Sequence, residues 1–112
     1  MLKKSLIGAT AIALALASAT LVTQGTRADT KDKKIALSNN YAGNSWRQAM
    51  LKSWDKVTGQ AVKDGVVAEA TAFTTSENQV TEQAAQIQNL ILQGYSAIVV
   101  NAASPDALNG VI

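Results

Sequence analysis

Three short apolar runs alternate with two segments of helical periodicity along the chain from Lys34 onward. Between Lys34 and Leu37 a short apolar run breaks into Ser38-Asn39-Asn40-Tyr41-Ala42-Gly43, a turn-forming stretch, and so predicts a strand ending in a polar loop. Asn44 or Ser45 is placed to cap a following helix. The spacing of Trp46, Ala49, Met50, Trp54 and Val57 carries that helix from about Ser45 to Thr58, and Gly59 closes it. Gly65 opens a second apolar run, Val66 to Phe73, rich in β-branched residues and bounded by Thr74-Thr75-Ser76. Thr75 or Ser76 then caps a second helix, reaching about Gln93, whose buried stripe is Val80, Ala84, Ile87 and Ile91 with Leu90 beside it. Gly94 ends it. Ala97-Ile98-Val99-Val100 is apolar without alternation, the pattern of a parallel strand covered on both faces, and it stops at Asn101. Ser104-Pro105-Asp106 has the order of a third helix start: a cap, a proline at the first helical position and a carboxylate in the first turn.

The predicted fold is α/β, a parallel sheet in β-α-β-α-β-α order. Right-handed crossovers place the first strand between the second and third. The strand ends Ser38 to Ser45, Thr74 to Ser76 and Asn101 to Asp106 then open on one edge, where open α/β sheets hold ligands. A sheet of three strands whose last helix is only begun reads as a fragment or a truncated reading frame, an incomplete domain over residues 29–112.

The residues before this pattern are of another kind. Lys3 and Lys4 precede an Ala/Leu-rich run from Leu6 to Ala17, followed by small and polar residues up to Ala28, the order of a secretory signal peptide over residues 1–28. Cleavage after Ala28 leaves Asp29 to Lys33 as a solvated approach to the first strand; cleavage after Ala19 is the alternative. The run extends through Leu21 and Val22 to nearly the length of a membrane span, but its Ala, Ser, Thr and Gly content makes it a weak one. Export to the periplasm is the expectation. Without a cysteine, lipid attachment at the cut is excluded.

Charge and composition narrow the chemistry. The formal charge of +2 misleads, because Lys3, Lys4 and Arg27 lie in the leader; from Asp29 onward seven basic and eight acidic residues leave a net −1. No basic face is offered to nucleic acid. Cysteine and histidine are both absent, which removes disulfides, thiolate chemistry, imidazole bases and the usual transition-metal ligands. No nucleophile-base pair or phosphate loop stands in the sequence, and Gly43 lacks the G-x-G-x-x-G surroundings of a dinucleotide site. The expectation is a binding protein that is not an enzyme and needs no cofactor.

What remains suits a polyol. Tyr41 and Trp46 can stack on the apolar face of a sugar ring, although Trp46 equally fits the first core position of its helix and Tyr41 a loop anchor. Asn39, Asn40 and Asn44 carry amides that both donate and accept, as hydroxyls require, and are also what a tight turn prefers. Arg47 sits in a first helical turn, where the helix dipole disfavours a cation, so either a cleft contact or a solvent-facing side chain explains it. Asn101 is the first polar residue after an apolar strand and so faces the crevice, unless it bonds its own backbone. Asp106 is explained by the helix start, and Trp54 by the core.

These residues carry a resemblance. Lys33 to Asn40, Ser45-Trp46 opening a helix, Gln86-Ile87-Gln88-Asn89-Leu90-Ile91-Leu92-Gln93-Gly94, and Ile98-Val99-Val100-Asn101-Ala102-Ala103-Ser104-Pro105-Asp106-Ala107-Leu108 resemble the first three β-α units of the ribose-binding-like periplasmic sugar-binding proteins. The resemblance runs from Lys33 to Ile112. It implies the N-terminal lobe of a two-lobed, monomeric receptor that passes a sugar or polyol to the membrane permease of an ATP-binding cassette importer; a sensory protein of the same fold, presenting ligand to a membrane signalling receptor, is the alternative. In that family the loop after the first strand supplies an asparagine and aromatics, here Asn40 or Asn44 and Trp46, and an asparagine ends the third strand, here Asn101. The candidate contacts are thus Asn40, Tyr41, Asn44, Trp46, Arg47 and Asn101. The stretch Tyr41 to Arg47 departs from the Asn, Pro and paired phenylalanines common among ribose binders, so the resemblance carries over the receptor role and not ribose itself.

Overall fold

A computed structural model describes residues 28–112; the expected signal peptide, residues 1–28, lies almost wholly outside them. The described elements run β1 (Lys34–Asn40), α1 (Ser45–Lys63), β2 (Glu69–Thr75), α2 (Val80–Leu92) and β3 (Ala97–Asn101). All three strands are parallel in the order β2-β1-β3, as right-handed crossovers require. Being central, β1 is hydrogen-bonded on both edges and covered on both faces, so its run from Ala36 to Asn40 is buried without alternation. Ala36, Leu37, Ile87, Leu90 and Leu108 form the core.

β1 is longer than its apolar residues. Ser38, Asn39 and Asn40, expected in a loop, continue the ladder opposite Phe73, Thr74 and Thr75. Their polar side chains are tolerated because other buried polar groups meet most of them. β2 is displaced towards its C-terminus relative to the Val66-to-Phe73 expectation, with Val66 left exposed before the strand.

α1 starts where expected, with Asn44 as cap: its Oδ1 accepts the Arg47 amide at 2.9 Å. It does not stop at Gly59. One glycine in a helix interior costs only about 1 kcal/mol relative to alanine, and the chain runs on to a stronger stop. Gly65 takes φ +68°, Val66 N–H bonds to Ala61 C=O at 2.9 Å and Gly65 N–H to Val62 C=O at 3.1 Å. α2 ends in the same way at Gly94, with Tyr95 N–H on Leu90 C=O and Gly94 N–H on Ile91 C=O. The α2 start differs from expectation. Neither Thr75 nor Ser76 caps it; Gln79 occupies the cap position without a side-chain bond, and Glu82 reaches back to the Ser76 amide at 3.4 Å.

The helical faces are rotated from the expected stripes. In α1, Arg47, Met50, Leu51, Trp54, Thr58 and Ala61 turn inward, whereas Trp46 and Val57 are 64% and 67% exposed. In α2 the buried positions are Gln83, Ile87 and Leu90, and Ile91 faces solvent. Beyond β3, the segment expected to begin a third helix folds instead into successive turns. Ser104 Oγ accepts the Ala107 amide at 3.2 Å, and Asn109 and Val111 N–H bond three residues back, to Asp106 and Leu108. Asn109 and Gly110 are poor helix formers, and buried Leu108 pins the turns to the core.

Candidate functional site

Alternation along β1 sorts its polar residues onto two faces. Ser38 meets Gln83 and Gln86 of α2, and Asn39 meets Arg47 of α1, so Asn40 shares the α2 face with Ser38. The carboxyl ends of β1 and β3 are tied together on both faces.

On the α1 face Asn39 is the hub, fully buried and opposite both Thr74 and Asn101 in register. Its Nδ2 donates to Tyr41 C=O at 3.1 Å and Thr74 Oγ1 at 3.3 Å; its Oδ1 accepts from Arg47 Nη1 at 3.2 Å and Asn101 Nδ2 at 3.1 Å. Arg47 Nη1 also donates to Asn40 C=O. Inward rotation of α1 thus brings Arg47 over the end of β1, which accounts for a cation in a first helical turn: strand-end acceptors offset the unfavourable dipole. On the α2 face fully buried Gln83 plays the matching part. Its Nε2 donates to Ser38 Oγ at 3.2 Å and to Asn101 C=O at 3.1 Å, and its Oε1 accepts the Ala103 amide at 2.7 Å.

Among the expected contacts, Arg47 and Asn101 are brought together through Asn39. Asn44 is taken up as the α1 cap, and Trp46 stands exposed on the same first turn. Tyr41 follows β1 directly with φ +67°, an unusual conformation for an aromatic residue, held by its N–H on Thr75 C=O at 3.0 Å; its ring lies against Gly43, where a side chain would collide with it. Asn40 points to the other face, 5% exposed, beside Thr75; neither its Oδ1 nor the Thr75 hydroxyl has a partner among the described residues. Gln83 is the residue that sequence reasoning did not single out, whereas Asn39 was weighed beside Asn40 and Asn44 and then left off the candidate contacts. A glutamine interrupting the apolar stripe of α2 was the only signal for the first. Among the described residues no group of three or more His, Cys, Asp or Glu stands together to hold a metal ion.

A second polar cluster lies at the amino end of the sheet. Tyr95 Oη donates to Glu69 Oε1 at 2.6 Å, Lys34 Nζ lies 4.5 Å from the Tyr95 ring centre, and Phe73 meets Tyr95 edge to face. The Tyr95 hydrogen bond holds the Glu69 carboxyl below its ordinary value, and the same bond raises the Tyr95 phenol above its own.

A parallel α/β sheet whose polar side chains converge beyond the carboxyl ends of its strands is the class in which open sheets hold ligands. A family model described as a periplasmic binding protein domain matches residues 35–112, and the chain belongs to that family. Its fold is similar to the crystal structure of an ABC transporter solute binding protein from Thermobispora bispora DSM 43833, at 41% sequence identity and a TM-score of 0.68. That similarity covers 71% of this chain and 25% of the other, so the chain spans about a quarter of that relative's length. No curated protein matches the chain.

Proposed function

We propose that the chain is the N-terminal part of an exported, periplasmic solute receptor that delivers a sugar or polyol to an ATP-driven importer, by closure of two lobes around the ligand and without catalysis. The observation that carries this reading is the Arg47–Asn39–Asn101 cluster at the open edge of a sheet of this family. Arg47 has further N–H donors beyond its bonds to Asn39 and Asn40, Asn101 carries one amide oxygen, and Trp46 presents an exposed ring on the same turn. Donors, an acceptor and an aromatic face together suit a neutral ring bearing hydroxyls. Closure is a population shift, so the solute stabilises the closed form only by touching both lobes, and residues 29–112 supply one wall. The similar protein from Thermobispora bispora is an ABC transporter solute binding protein, which favours delivery to an importer over signalling.

Titration calorimetry of the full-length protein against neutral sugars and polyols tests the reading. Saturable binding of at least one is expected, weakened about tenfold or more by Arg47→Ala and by Asn101→Ala, since each removes a hydrogen bond made in a sheltered cleft. Absence of binding across the panel, or unchanged affinity in both variants, refutes it.

A further inference from the structure

We propose that Asn39 is a positioning residue that sets which atom of Asn101 meets the solute, an inference that rests on the solute-receptor reading above. The hydrogen-bond network leaves one consistent assignment. A guanidinium only donates, so the Asn39 atom facing Arg47 Nη1 is its oxygen; a main-chain carbonyl only accepts, so the atom facing Tyr41 C=O is its nitrogen. The two partners lie on opposite sides of one amide and agree. Asn39 Oδ1 therefore presents an acceptor to Asn101, which must answer with Nδ2, at 3.1 Å. Nδ2 also lies 3.6 Å from Met50 Sδ, a second acceptor on the same inner side. Asn101 Oδ1 is then the free end of the amide, with no donor among the described residues and without being buried.

The consequence is chemical. At this position the cleft offers an acceptor, so the solute group that meets Asn101 is a hydrogen-bond donor, a hydroxyl rather than a carboxylate. Without Asn39 the amide of Asn101 can turn over and offer Nδ2 to an anion. Among the described residues the other acceptor that Asn101 Nδ2 meets is Met50 Sδ, a weak one.

The experiment uses the full-length protein with Asn39→Leu, which removes the acceptor at similar size, and Asn39→Asp, which keeps it. The nuclear Overhauser effect between the Asn101 side-chain amide protons and the Met50 methyl is expected in the wild type and in Asn39→Asp, and is expected to be lost in Asn39→Leu. Affinities for D-glucose and D-galactose are compared with those for D-glucuronate and D-galacturonate. The wild type and Asn39→Asp should prefer the neutral member of a bound pair, and Asn39→Leu should narrow that preference by about tenfold, the worth of one hydrogen bond reversed. Persistence of the Overhauser effect in Asn39→Leu, or an unaltered preference there, overturns the proposal, because a purely structural role weakens both members alike. Should the wild type bind no sugar, the solute-receptor reading fails, and the Overhauser comparison still decides whether Asn39 orients Asn101.

Discussion

Gln83→Leu removes the buried amide that ties β1, β3 and the turn after β3 together, with little change of volume. Three main-chain groups lose a bond to the side chain, Ala103 N–H, Asn101 C=O and Ser38 C=O; the last keeps its place in the ladder of the central strand, which leaves two orphaned, and Ser38 Oγ keeps Gln86 Oε1 at 2.6 Å. Each orphaned group costs about 1–3 kcal/mol, and burying a leucine instead returns about 1.5–3 kcal/mol. The net loss is therefore about 2 kcal/mol. For a urea slope of about 2 kcal/mol per molar, the midpoint falls by about 1 M with the slope unchanged. Urea titration of the full-length protein, followed by far-ultraviolet circular dichroism, reads this directly, and amide exchange at Ala103 should accelerate in the folded state. A midpoint shift under about 0.2 M, with exchange at Ala103 unaltered, refutes the claim that Gln83 holds the end of β3.

Trp46→Ala should weaken sugar binding by about three- to tenfold, the worth of one aromatic stack, while stability moves by less than about 0.5 kcal/mol, because the ring packs on little. Calorimetry beside a thermal melt separates the two effects. Gly59→Ala should stabilise by about 0.5–1 kcal/mol, since Gly59 is helical and a methyl there meets open space; a denaturant titration checks it. The lowered Glu69 carboxyl contributes stability that is present above its ordinary value of 4.5 and is lost as pH falls through its lower folded value. The raised Tyr95 phenol contributes stability that is present below 10.0 and is lost as pH rises through its higher folded value. Tyr95→Phe should flatten both limbs, and the Glu69 carboxyl titration followed by NMR should return upward.

Element order, strand order and the glycine stop at Gly94 were legible because they rest on local signals: apolar runs, helical spacing and the handedness of crossovers. Boundaries failed where a local rule met a tertiary one. Gly59 reads as a stop, but the end of α1 is decided by Gly65, where the main-chain bonds to Ala61 and Val62 close. Ser38, Asn39 and Asn40 read as a turn, because nothing local says that Thr74, Thr75 and Asn101 will lie opposite them. In α1 the apolar spacing selected Trp46, yet the helix settles one position round and turns Arg47 inward; strand-end acceptors that attract a guanidinium are invisible along the chain. For the same reason Asn39 looked no different from its neighbours. Which of three asparagines becomes a hub depends on the face each takes in the sheet, and that is set by pairing.

The proposed solute cleft has one wall formed by the carboxyl ends of β1 and β3, with Arg47 and Asn101 as its hydrogen-bonding groups. That wall is tested most directly by following the side-chain resonances of Arg47 Nε and Asn101 Nδ2 while the full-length protein is titrated with a sugar that it binds. Both resonances should shift together and saturate at the calorimetric stoichiometry, while those of Gln60, on the far turn of α1, stay in place. Saturable binding that leaves both Arg47 and Asn101 unshifted would contradict it.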